Sequence, residues 1–165
     1  MGLRDIILAL HVAAGAAGLA LGPLAWWTER HAPRRSRPGV AYHWAVLAVS
    51  LTAIALAALN WSALWWLVPL AVVSYALALL GLLFSCRRAS GSDRMYAHGQ
   101  GGSYIALLTA LSVVSVHGPW EVAAWVLPTL VGLPLIERRA RSLAAGPLHA
   151  ARPGPAQAGN VCGRC

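Results

Sequence analysis

Residues 11–27 read HVAAGAAGLALGPLAWW, and within the next ten residues come Glu29, Arg30, Arg34, Arg35 and Arg37. An apolar run that begins at Ile6 and closes on Trp26 and Trp27 is close to the roughly 20 residues needed to cross a bilayer as a helix. Gly15, Gly18 and Gly22 follow His11 at i+4, i+7 and i+11, so all four residues share one helix face. The paired tryptophans mark a membrane–water boundary, and the arginines behind them are the kind of charge that stays on the cytoplasmic side. This stretch therefore predicts a transmembrane helix with a smooth glycine face, a buried histidine and a defined direction. A cleaved signal peptide fits less well, because the run is long and ends in Trp-Trp-Thr-Glu-Arg where a small-residue cleavage site would be needed.

The rest of the composition agrees. Of 165 residues, 58% are apolar and 11% charged, against about 25% charged in ordinary soluble domains. The net charge of +8 rests on thirteen arginines with no lysine. Twelve of the thirteen fall between or after apolar runs, in 30–37, 87–94 and 138–164. That placement argues against a nucleic-acid surface and for loops held on one side of a membrane. Abundant alanine beside absent lysine suggests a GC-rich bacterial genome. Three cysteines, two of them in the last four residues, make no disulfide framework.

The pattern predicts an all-α bundle of five transmembrane helices, with spans at about 6–27, 40–59, 63–84, 98–117 and 120–136. Pro128 and Pro134 would interrupt the fifth span, and Glu137-Arg138-Arg139 would stop it. Residues 1–141 form the transmembrane domain, and 142–165, rich in Ala, Gly, Pro and Arg, read as a disordered cytoplasmic tail. Arginine placement puts the N-terminus outside and the C-terminus inside a bacterial plasma membrane.

Few residues in this chain offer chemistry. His11 lies inside a span, where a polar side chain needs a partner. Gly18-x-x-x-Gly22 lets another helix approach closely, and packing alone accounts for that face. Alternatively, a flat cofactor lies on the glycine surface with His11 as its ligand. His43 and His98 lie at the inner ends of their spans and His117 at the outer end of the fourth. Histidines near both faces suit a transmembrane carrier with haem b, whose iron takes neutral imidazole. His98 and His117 are 19 residues apart, which turns them about 100° from each other around one helix and weakens the case for two stacked haems. No Asp, Glu, Lys or Arg falls in the middle of a span, as a proton-coupled pump would usually require. Cys162 and Cys165 form a CxxC without the second pair a zinc site needs.

Leu10-His11, Gly15, Gly18 and Leu21-Gly22-Pro23, then a basic loop and Gly39-Val40-Ala41-Tyr42, resemble the start of a family of small bacterial multi-pass membrane proteins. That family is known as a predicted membrane domain of unknown function. His98-Gly99-Gln100-Gly101-Gly102-Ser103-Tyr104 resembles its later His-plus-Tyr segment, and 125–136 looks like its closing span. The similarity covers about residues 8–138. Many members carry His-Arg before the Gly-x-x-Tyr element, where this chain has Arg35-Ser36. A looser similarity is to cytochrome b561-like four-helix haem bundles, which implies His11 and His98 as first haem ligands; the histidines near both faces add His43 and His117 as their partners. The main expectation is a non-enzymatic membrane module, for small-solute transport or as a partner of another membrane protein or of a second copy. The alternative is a haem- or quinone-linked electron carrier.

Overall fold

The computed structural model describes residues 2–28, 37–86, 92–116 and 118–145. His117, with His31, His149 and the Cys162/Cys165 pair, lies outside the described residues. Among them the chain is helical, without strands: α1 (Leu3–Thr28), α2 (Arg37–Leu59), the single turn α3 (Trp61–Leu64), α4 (Leu67–Cys86), α5 (Ser92–Ser115) and α6 (Glu121–Ala145). Three segments, Leu3–Thr28, Arg37–Leu59 and Leu67–Ser85, are long and apolar enough to cross a membrane. α5 and α6 match them in length at 24 and 25 residues. Their apolar stretches are diluted by Arg94, His98, Gln100 and Ser103 in one, and by Glu121, Glu137 and the arginines in the other.

Several boundaries differ from the sequence expectation. α4 begins at Leu67, not Ala63, and Pro69 explains it. Proline lacks the N–H that would bond the Trp65 carbonyl, and its ring clashes there. That carbonyl takes the Val68 N–H at 3.2 Å. α5 begins six residues before His98, at Ser92. α6 is continuous through Pro128 and Pro134 and through Glu137-Arg138-Arg139 to Ala145. Each proline forfeits one hydrogen bond but keeps a helical φ, and a run of charge at a helix end is no barrier to helix. Residues 142–145 are thus helix, not tail; 146–165 lie outside the described residues.

The most extensive packing joins α4 to α5 and α1 to α2, then α6 to α5 and α4 to α2, and α1 closes onto α5. The neighbours run antiparallel, as the register shows. On α1 and α2, His11 pairs with Thr52 and Gly18 faces Ala45. On α5 and α6, Gly101 faces Ile136 and Gly132 faces Ile105. The result is a four-helix core of α1, α2, α4 and α5, with α6 laid on the outside of α5. Tyr42, Val46, Ala78 and Leu107 meet at the centre, joined by Leu19, Leu21, Val49 and Tyr104, so all four helices contribute to one apolar cluster. The outside is apolar too: Leu51, Val72, Val73, Leu83, Leu111 and Leu130 are exposed. Trp27 is exposed at one end of the bundle and Trp61 and Trp120 at the other, while Trp44 is exposed two turns inside α2.

The tightest helix crossing is not on α1. A Cβ placed on Gly99 of α5 would stand 2.5 Å from the backbone nitrogen of Gly81 and 2.8 Å from the Leu77 carbonyl oxygen of α4. On α1 the expected glycine face is graded. A Cβ on Gly22 would run into the Tyr104 ring, one on Gly18 would sit 3.4 Å from Leu107, and one on Gly15 would meet Val49 at an ordinary 4.0 Å.

Candidate functional site

His11 lies two turns into α1 and is half-buried against α2, with its Nδ1 2.9 Å from the Thr52 hydroxyl. That hydroxyl directs its single proton to the Ala48 and Val49 carbonyls, at 2.7 and 3.0 Å. With its proton on either carbonyl the hydroxyl accepts from His11, an arrangement that pairs with the Nδ1–H tautomer and a lone pair on Nε2. A backbone-anchored hydroxyl thus fixes the ring's tautomer and direction, as groups behind metal-binding histidines do.

His43 is buried in the N-terminal half of α2, at 7% exposure. Its ring lies 5.6 Å from that of Tyr75 on α4, tilted by 40°, and 6.1 Å from that of Trp44. The Ala78 carbonyl lies beside the imidazole. Nδ1 is fully buried with no hydrogen-bond partner. The neighbouring Tyr42 points elsewhere: its hydroxyl makes a buried 2.8 Å bond with Ser103 of α5, which also donates to the Gln100 carbonyl at 2.9 Å.

His98 is at the loop-facing end of α5. Its Nδ1 donates to the Arg94 carbonyl at 2.8 Å, and its Nε2 stands 3.5 Å from Glu137 Oε2 of α6. Arg94 approaches the same oxygen at 3.5 Å, and Arg141 Nε donates to Oε1 at 3.1 Å. Glu137 is the centre of this clasp between α5 and α6. Its spacing from Arg141, four residues on, is the helical ion-pair spacing and was legible in Glu-Arg-Arg-Ala-Arg. The Arg94 and His98 contacts depend on how α6 lies against α5, and no spacing in the sequence carries that.

His11 stands apart from the other two. Thr52, level with His11, is nine residues from His43 along α2, about 14 Å of helical rise. Tyr104 bonds the Leu19 carbonyl at 3.3 Å and so sets the level of α5 against α1. His11 lies eight residues from that level in one direction and His98 six residues in the other, about 20 Å apart along the bundle. No single iron takes both as axial ligands, and a haem shared by His11 and His98 does not fit this arrangement. Among the described residues, no three of His, Cys, Asp and Glu are grouped as metal ligands.

The clasp has a pH signature. The Arg141 hydrogen bond, helped by the Arg94 and His98 charges, holds the Glu137 carboxyl below the ordinary glutamate range. A depressed carboxyl favours the folded state above its unfolded pKa, and that contribution is lost as pH falls through the folded value. Thermal stability should therefore dip slightly on acidification below about pH 4, the ordinary glutamate range. Glu137→Gln should lack that component of the dip. The effect is small, because these side chains are solvated and screened. Equal acid profiles for the two proteins would remove Glu137 from the clasp.

Comparison with protein-family models, with curated proteins and with solved structures finds no match to this chain.

Proposed function

We propose that the chain is a five-span integral membrane protein of a bacterial plasma membrane, with its N-terminus outside and its C-terminus in the cytoplasm. On this reading α1, α2, α4, α5 and α6 are the spans. It works as a non-enzymatic membrane module, a structural partner of another membrane protein or of a second copy in preference to a solute transporter. The observation that carries this preference is the filled bundle axis. Tyr42, Val46, Ala78 and Leu107 occupy the centre, with apolar side chains from α1 around them. A solute path needs a polar or hydrated lining, and this centre is packed with hydrocarbon and two tyrosines whose hydroxyls are already paired, Tyr42 with Ser103 and Tyr104 with the Leu19 carbonyl. The placement of twelve arginines supports the orientation. A reporter fused after Cys165 should be active only on the cytoplasmic side, and activity only outside would reverse the topology.

One observation favours the second reading, a b-type haem carrier: Thr52 holds His11 through Nδ1, the arrangement that orients an imidazole to ligate through Nε2. A reduced-minus-oxidised visible spectrum of detergent-purified protein from haem-replete cells separates the two. The module predicts a flat spectrum from well-folded protein. A Soret band with a sharp reduced α band, bleached by His11→Ala, would establish the cytochrome and displace the module.

A further inference from the structure

We propose that the clasp at the ends of α5 and α6 is a binding site for the phosphate of an anionic phospholipid. The inference rests on the membrane reading above. Arg94 and Arg141 both address Glu137, so one carboxylate faces two permanent cations and a histidine. Each guanidinium has five donors, and the Glu137 contacts use one from each. Their side chains are 66% and 78% exposed, against 31% for the carboxylate, so positive charge dominates the outer surface of the cluster. Arg138 is exposed beside them. Glu137 thus acts as a bracket: it draws arginines from two helices to one place and leaves most of their donors for a second anion. A phosphodiester accepts such bidentate bonds well.

The surroundings select a lipid over a free phosphate. Leu130, Leu133, Glu137 and Arg141 fall at i, i+3, i+7 and i+11, on one face of α6. Leu130 and Leu133 are exposed, as is Met95 beside Arg94 on α5. An apolar strip therefore leads straight to the cations, as an acyl chain below a headgroup requires. Trp27 is exposed at this same end of the bundle and marks the headgroup level. Arginines next to an anionic leaflet attract its lipids directly.

The test uses the full chain, purified in mild detergent and titrated with phosphatidylglycerol or phosphatidylcholine, with bound lipids counted by native mass spectrometry. The wild type should retain phosphatidylglycerol in preference. At about 1 kcal/mol for each arginine, the R94Q/R141Q variant should bind it roughly 30-fold more weakly. E137Q, which keeps both arginines and removes the competing anion, should bind it at least as well as the wild type. Equal retention of the two lipids, or an R94Q/R141Q variant with wild-type selectivity, would overturn the site. So would E137Q losing the lipid as fully as the double variant, since the fold of the clasp and not its charge would then be at work. Displacement by equimolar inorganic phosphate would convert the assignment to a free-phosphate site. A protein that leaves the membrane without detergent would sink the membrane reading itself, whereas lost selectivity in a membrane-inserted protein sinks this inference alone.

Discussion

A Gly99→Leu chain should fail to accumulate as a folded, monodisperse protein. The argument is one of distance. The first atom of any side chain at this position would stand 2.5 Å from the Gly81 nitrogen, 2.8 Å from the Gly81 Cα and 2.8 Å from the Leu77 carbonyl oxygen. Those neighbours are backbone, so no rotamer change relieves the clash, and α4 and α5 must move apart. They form one of the two most extensive helix pairs in the molecule. Between helices in lipid there is little hydrophobic drive to offset a lost fit, and close packing carries the association. Even Gly99→Ala should cost about 1–3 kcal/mol, the ordinary penalty for overpacking, and leucine adds a volume that the crossing cannot take. Gly15→Ala is the control. Its Cβ would meet Val49 at 4.0 Å, and alanine favours helix over glycine by up to about 1 kcal/mol, so that variant should be neutral or slightly more stable. Gly22→Ala belongs between them, because the atom in its way is the Tyr104 ring, which can turn aside if its bond to the Leu19 carbonyl is given up. A Gly99→Leu protein that melts with the wild type would refute the crossing.

That series also shows what the sequence could and could not disclose. Helices were legible, because apolar runs of membrane length between arginine-rich segments leave little alternative. The glycines of α1 were legible as a face, since Gly15, Gly18 and Gly22 recur at helical spacing. Which glycine is pressed hardest was not, because that depends on what the partner helix brings opposite. Gly22 meets an aromatic ring, Gly15 only a valine methyl, and the closest approach of backbone to backbone pairs Gly99 with Gly81 on a helix that carries no glycine pattern of its own. Histidines present the same limit. His11, His43 and His98 each sit on the helix where their sequence position put them, but convergence is a property of register. Tyr104 on the Leu19 carbonyl and His11 on Thr52 set levels that keep His11 and His98 apart. Glu137 was read as a stop because charge after an apolar run usually ends a span; helix α6 runs on, and the same residue gathers arginines from two elements.

His43→Leu should make the protein more stable, against the usual direction for a buried substitution. His43 is 7% exposed, and its Nδ1 has no hydrogen-bond partner. A buried polar atom without a partner carries a desolvation penalty of about 1–3 kcal/mol, and hydrocarbon surroundings raise it. Leucine is apolar, near the imidazole in size, and can fill the space against Tyr75. The Ala78 carbonyl beside the ring loses little, because it sits within α4 and serves that helix's own ladder. The expected result is a gain of about 1–2 kcal/mol in denaturant or thermal unfolding, with no change in colour or in co-purifying molecules. The opposite result would carry more functional weight. Loss of stability has two readings: the imidazole's hydrogen bond to the Ala78 carbonyl outweighs the buried Nδ1, or Nδ1 is held by a water or a bound small molecule. A co-purifying molecule that disappears in the variant would select the second, place His43 at a ligand site between α2 and α4 beside Tyr75, and displace the packed module at that point.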